Sequence, residues 1–250
     1  MRPLWWVLGT TLAISLVAWV GVFSLFVRRE RLDRILLLLV ALAAGSLVGG
    51  AFFHLLPRAL AESDQDDVVF ILVVVGFCVF YVLEAFVHWH HHHETVHERD
   101  AVTTLVLVSD AVHNFVDGLV IAGAFLVGPP VGLATALAIA LHEIPQEIGD
   151  FGVLVYGGYE PRQALVLNYL TQVTVVLGGV VGIVVGSAVA SVPWLLLAFA
   201  SGSFLYIASS DLVPEIKRDT SLRRSLRNFG VFVAGICLLY GVTFVEALLG

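Results

Sequence analysis

Two stretches of the sequence carry side chains that bind divalent metals, at spacings that only a helix would bring together. The first is His113-Asn114-Phe115-Val116-Asp117-Gly118, with Asp110 one turn ahead of it. The second is His142-Glu143-Ile144-Pro145-Gln146-Glu147-Ile148-Gly149-Asp150. Residues three and four apart share a helix face. Asp110, His113, Asn114 and Asp117 therefore form one stripe, while His142 pairs with Gln146, Glu143 with Glu147, and Gln146 with Asp150. Imidazole nitrogen with carboxylate and amide oxygen is a ligand set for a divalent transition metal. The plainer reading is a buried polar network that staples two helices by hydrogen bonds. Two histidines and several carboxylates in register on adjacent helices favour the metal.

The elements that must position these residues are membrane spans. Both motifs sit in apolar runs, 102–127 and 131–155, each long enough to cross a bilayer. An Asp at the centre of a spanning helix costs about 2.5–3.5 kcal/mol, so Asp110 and Asp117 together cost roughly 5–7 kcal/mol before any pairing. Residues so expensive are expected to serve a function. Gly128-Pro129-Pro130 leaves room only for a tight turn, which makes the two spans antiparallel neighbours. Pro145 removes its own N–H and crowds the carbonyl of Leu141, so the second span should bend beside His142, where a freed carbonyl could line a cavity.

Composition sets the class. Of 250 residues, 59% are hydrophobic and 13% charged, with mean hydropathy +0.95, whereas about 25% of a soluble domain is charged. The chain reads as an all-α polytopic membrane protein, a single domain over 1–250, with no basic patch for nucleic acid. The net charge of -7 says little about partners in such a protein. Cys78 and Cys237 lie in apolar segments and make neither a metal spacing nor a disulfide framework.

Runs of spanning length fall at 4–27, 35–60, 68–88, 102–127, 131–155, 163–190, 194–216 and 228–248, predicting eight helices. The first lacks a cleavage site and reads as a true span. When loops are assigned to alternate sides, only Arg2 and Arg58 of the 13 basic residues fall on one of them. The positive-inside rule then puts both termini outside. The loop with Glu62, Asp64, Asp66 and Asp67 is outside too, either gathering cations or simply solvated.

Further candidates lie along the chain. His88, His90, His91, His92, His93 and His97 crowd a cytoplasmic loop at 89–100, a metal-capture or sensing element if it is not a plain linker. His54 lies near the outer surface, as an entrance ligand or an interfacial residue. Asn168 and Gln172 on helix six either complete the metal site or tie helices through their amides. Asp211 and Glu215 share a face at the inner end of helix seven. Asp110, Glu147 and Asp150 continue the two stripes toward the cytoplasm as an exit ladder. Gly45, Gly49, Gly178, Gly182, Gly186, Gly235 and Gly241 permit close helix packing.

Taken together, the motifs at 113–118 and 142–150, Phe53-His54-Leu55-Leu56-Pro57, the histidine loop and Asp211-Leu212-Val213-Pro214-Glu215 resemble the Zrt/Irt-like (ZIP) family of divalent-metal transporters over nearly the whole chain. The resemblance implies eight helices with both termini outside, and helices one to three and six to eight as inverted repeats around helices four and five. It also implies a binuclear metal site between helices four and five, and homodimers. Carried onto this sequence, His113, Asp117, His142 and Gln146 form the principal site, with Asn114 and Glu143 leaning toward a second metal and Glu143 able to bridge. Helix five is most similar to the subfamily pattern His-Glu-x-Pro-His-Glu-x-Gly-Asp, from which it departs at Gln146.

The expected function is transport of a divalent metal ion into the cytoplasm. Zinc is the first expectation, with iron, manganese and cadmium as others. A multi-pass protein of a prokaryotic cytoplasmic membrane is expected, and no enzyme activity. One rival is an intramembrane zinc hydrolase, because His142-Glu143 begins a His-Glu-x-x-His pattern; Gln146 replaces its last His. The other is a metal sensor that does not transport.

Overall fold

The computed structural model describes residues 2–90, 98–189, 191–217 and 221–249. Among these residues every regular element is helical. Helices satisfy their own backbone hydrogen bonds, and in hydrocarbon no other open structure does. The segments run together into rods, named here in chain order. Rod α1 comprises Arg2–Ser15 continued by 3-10 turns over Leu16–Leu25. Rod α2 is Arg29–Gly50, a π turn at Ala51–Leu55, and Leu56–Glu62. Rods α3, α4 and α5 are Asp66–His90, Glu98–Val127 and Pro129–Tyr156. Rod α6 joins Pro161–Gln172 to Thr174–Ala188. Rod α7 joins Val192–Tyr206, a π turn at Ile207–Leu212, and Val213–Lys217. Rod α8 is Leu222–Leu249.

Seven of these rods are long and apolar enough to cross a membrane among the described residues. The remaining one, α5, has 28 residues but carries His142, Glu143, Gln146, Glu147 and Asp150, which lower its apolarity. The outer surface fits lipid. Val74, Val82, Val184 and Phe229 are all more than half exposed, a pattern unfavourable against water and neutral against acyl chains.

Proline explains the irregular turns that periodicity in the sequence missed. A proline forfeits its N–H and clashes with the carbonyl four residues back. Pro57 follows the π turn of α2, and Pro214 that of α7, so each π turn takes up the mismatch just ahead of its proline. Pro145, in contrast, stands inside α5, which runs on as helix through it.

Glycines set how closely the rods approach. A Cβ at Gly45 would overlap the Phe232 carbonyl of α8, and one at Gly235 the Leu42 carbonyl of α2. Gly76 and Gly202 join α3 to α7 in the same way, against the backbone of Phe199 and Val73. Gly118 and Gly178 bring α4 and α6 backbone to backbone, against Val175 and Phe115. Of the glycines picked out for packing, Gly241 has nothing within 4 Å, so it serves no close contact. The joint between α4 and α5 is Gly128 alone, with Pro129 opening the next helix where no N–H is needed. These two rods are the centre of the molecule: α4 lies against α6 and α7, and α5 against α1 and α2.

Candidate metal site

Rods α4 and α5 bring four side chains to one point. His113 and Asp117 come from α4, His142 and Glu143 from α5, and one ligand atom from each lies within 4.8 Å of the other three. His142 Nε2 is 3.3 Å from both Asp117 Oδ2 and Glu143 Oε1. His113 Nε2 is 3.7 Å from the same two oxygens, and the two Nε2 atoms are 3.2 Å apart. Ligands about 2.0–2.1 Å from zinc in a tetrahedron are separated by about 3.3–3.4 Å. The separations made by His142 match that spacing, and those from His113 to the carboxylates are somewhat longer.

Charge and hydrogen bonding point the same way. Asp117 and Glu143 are buried, and Asp117 Oδ2 and both Glu143 oxygens accept no hydrogen bond from the described residues. Two carboxylates held side by side away from water are costly to leave without a cation, and a divalent ion would offset that cost. His142 Nδ1 donates to the Ala138 carbonyl at 3.2 Å, which turns the lone pair of Nε2 toward the quartet, the usual support for a ligating imidazole. Apolar rings close the sides. Phe80 of α3 meets the His113 ring edge-on at 5.7 Å, and Phe204 of α7 meets His142 at 6.1 Å.

A second polar group adjoins the quartet. Asn114 Nδ2 donates to Asp110 Oδ1 at 2.8 Å, and Gln146 Nε2 donates to the same oxygen at 3.2 Å. Across to α6, Asn168 Nδ2 donates to Glu147 Oε2. Among the described residues, Asp110 Oδ2, Asn114 Oδ1, Glu147 Oε1 and Asn168 Oδ1 are buried without a hydrogen-bond partner, as are both polar atoms of Gln172. Glu143 supplies the fourth atom of the quartet, and Gln146 is engaged through its amide nitrogen with Asp110.

The other sequence candidates are placed as follows. His54 is buried, and its Nε2 donates to the Leu239 carbonyl of α8 at 2.7 Å, which ties α2 to α8. Asp150 is partly buried on α5, and Glu215 is partly buried in the last segment of α7. Asp211 lies in the π turn of α7, and its side chain is outside the described residues. His88 and His90 are in the last turn of α3, their side chains likewise outside the description. His91, His92, His93 and His97 lie outside the described residues altogether. Phe80 and Phe204 were not legible as site residues, because an aromatic inside an apolar run carries no mark of the ring it will meet.

Fold and site together define a helical multi-pass membrane protein with a buried cation-ligand cluster between two central helices. Residues 3–105 and 89–243 match the family described as ZIP zinc transporter. The chain belongs to that family. It is 31% identical over 227 residues to Zinc transporter ZIP13 of Pongo abelii, covering 80% of this chain and 65% of that protein. Zinc transporter ZIP4 of Homo sapiens is 44% identical over 112 residues, 45% of this chain and 17% of that protein. Zinc transporter zipt-7.2 of Caenorhabditis elegans is 33% identical over 147 residues, 57% of this chain and 32% of that protein. The chain thus spans less than two thirds of each of these relatives. All three come from animals and lend no support to the expectation of a prokaryotic membrane. The family is one of transporters, not of enzymes.

Proposed function

We propose that this protein carries zinc across a membrane into the cytoplasm, with His113, Asp117, His142 and Glu143 as the site the ion occupies in transit. One observation carries the reading: four ligand atoms converge in a buried place, where three carboxylate oxygens have no hydrogen-bond partner among the described residues. Mixed nitrogen and oxygen ligands suit passage, since an ion must be held well enough to enter and loosely enough to leave. The names of the relatives favour zinc; iron, manganese and cadmium fit the same donors less selectively. In this reading Asp110, Glu147 and Asp150 continue the path on the cytoplasmic side.

The reading includes eight crossings, with α5 as one of them and both termini outside. Charge bias in the loops supports that orientation. The inverted repeat is supported by paired features: in His54-Leu55-Leu56-Pro57 and Asp211-Leu212-Val213-Pro214 a π turn ends at the leucine in second place, with a proline two residues beyond it. Exchanging α1 with α6, α2 with α7, α3 with α8 and α4 with α5 carries the α2–α8 contact onto α7–α3. The same exchange carries α4–α6 onto α5–α1, where Gly21 meets Phe151. A homodimer belongs to the proposal as well. Only 17% of the spanning windows of α3 and α8 is buried, and this apolar surface would receive a second copy of the chain. The histidine loop, His88 to His97, is assigned to metal capture at the cytoplasmic side.

Purified protein in sealed vesicles should take up zinc above protein-free vesicles, with no cleavage of peptide substrates. Zinc binding without uptake would leave a sensor; cleavage would favour the hydrolase. Two narrower predictions follow from ligand chemistry. Coordination needs imidazoles without a proton on Nε2, and protons also compete for carboxylates, so zinc affinity should fall as pH is lowered from about 8 to about 5. A flat affinity over that range would argue against histidine ligands. Gln146 lies one turn from His142 on the same face and offers only a neutral amide. Gln146→His should shift preference toward zinc over manganese in competition binding, because imidazole suits the later first-row metals. An unchanged ratio would place residue 146 outside the set that governs selectivity.

A further inference from the structure

The two ends of a side-chain amide have nearly the same shape and opposite chemistry: the nitrogen donates hydrogen bonds, and only the oxygen can hold a cation. Which end faces an ion is therefore decided by what the other end is bound to. Asn114 Nδ2 donates to Asp110 Oδ1 at 2.8 Å and to the Asp110 main-chain carbonyl at 3.0 Å. A main-chain carbonyl can only accept, so the nitrogen must be at this end and Oδ1 at the other. That oxygen is buried and bare. Gln146, on the facing rod, donates through Nε2 to the same Asp110 oxygen at 3.2 Å. Both amides are thus held by their nitrogens on one carboxylate oxygen.

The device occurs a second time. Asn168 Nδ2 donates to Glu147 Oε2 and, at 3.5 Å, to the Glu147 main-chain carbonyl, again leaving a buried and bare amide oxygen. In both cases one residue holds the amide nitrogen with its side chain and its backbone together. A network built only to staple helices would gain from pairing these oxygens, since a buried polar atom left unpaired is costly.

Building on the transport reading, we propose that Asp110 is a positioning residue for the ion path. It sorts the amide of Asn114, whose buried oxygen is then the end available to a cation next to the histidine-containing quartet, and it holds the Gln146 nitrogen on the same carboxylate oxygen. This makes the region beside the quartet oxygen-lined, and suited to a harder divalent ion such as manganese, whereas the quartet with its two nitrogens suits zinc or cadmium.

The test is equilibrium binding of Mn2+ and Cd2+ to the purified full chain as wild type, D110N, D110A and the double variant D110A/N114D. Asn at 110 keeps an oxygen acceptor and the main-chain carbonyl but loses the charge, so D110N should keep clearly more Mn2+ affinity than D110A. D110A should lose about 10- to 100-fold in Mn2+ affinity, the usual cost of losing a residue that supports ligands. N114D should restore much of that loss, because either oxygen of a carboxylate can face the ion and no sorting is needed. Should D110A fail to fold, as judged by its thermal midpoint, D110S replaces it; its short hydroxyl cannot hold both amides. Mn2+ affinity equal to wild type in D110A or D110S overturns the proposal, as does absence of rescue. A D110N variant as weak as D110A also overturns it, since that would make Asp110 a ligand through Oδ2. Failure of the quartet reading shows separately, as Cd2+ binding untouched by H142A.

Discussion

Alanine at His142 should abolish zinc uptake, with a loss of more than about 100-fold in zinc affinity. Removing a residue that merely supports a ligand typically costs about 10- to 100-fold, and His142 offers a ligand atom itself. Its Nε2 lies 3.3 Å from both quartet carboxylates, so its loss removes one quarter of the coordination and leaves Asp117 and Glu143 facing each other with less between them. His142 is buried, and H142A opens a cavity, so a folding defect could imitate the effect. His113 avoids this difficulty. Its side chain is 14% exposed, and H113A should lose zinc binding with little change in thermal midpoint. Aspartate 117 to asparagine makes the third variant, removing charge without volume. Uptake at wild-type rates by all three, in protein confirmed as folded, would refute the assignment of the quartet.

Gly178→Ala should destabilise the protein by at least about 1–3 kcal/mol, the cost of overpacking a well-fitted interface. Glycine to alanine within a helix ordinarily stabilises it by about 0.5–1 kcal/mol, so the predicted sign is reversed. The reason is local. A Cβ at Gly178 would overlap the Phe115 carbonyl on α4, and that backbone has no side-chain end that could swing away. Because Phe115 lies between His113 and Asp117, pushing α4 outward also displaces the quartet. Gly118→Ala, against the Val175 carbonyl, should behave alike. Gly230→Ala is the control, since nothing lies within 4 Å of a Cβ there. Thermal midpoints and yields of folded protein in detergent check the set. Gly178→Ala with the stability of Gly230→Ala would show that α4 and α6 are not so closely joined.

Much of this was legible in residue spacing. Apolar runs located the rods to within a few residues, and the three-and-four rule put Asp110, His113, Asn114 and Asp117 on one side of α4. On α5 the same rule gave two stripes. It grouped His142 with Gln146 and set Glu143 apart, because neighbours project about 100° from each other on a helix. A site between two helices can still be reached from both sides of that angle, and Glu143 Oε1 does so while Gln146 turns to Asp110. The π turns of α2 and α7 had a signal in Pro57 and Pro214. The break in α6 at Val173 had none. The walls made by Phe80 and Phe204 depend on how α3 and α7 rotate about their axes, which glycine contacts such as Gly76 and Gly202 decide and which no single rod's sequence states.

The central claim is that an ion in transit is held by the imidazoles of α4 and α5 together with their carboxylates. X-ray absorption at the zinc edge, on purified protein loaded with one equivalent of zinc, reads that shell directly. The account predicts nitrogen and oxygen neighbours at about 2.0–2.1 Å, the outer-ring scattering of two imidazoles, and loss of one imidazole in H113A. A shell of oxygen alone, or an imidazole signal unchanged in both H113A and H142A, would contradict it.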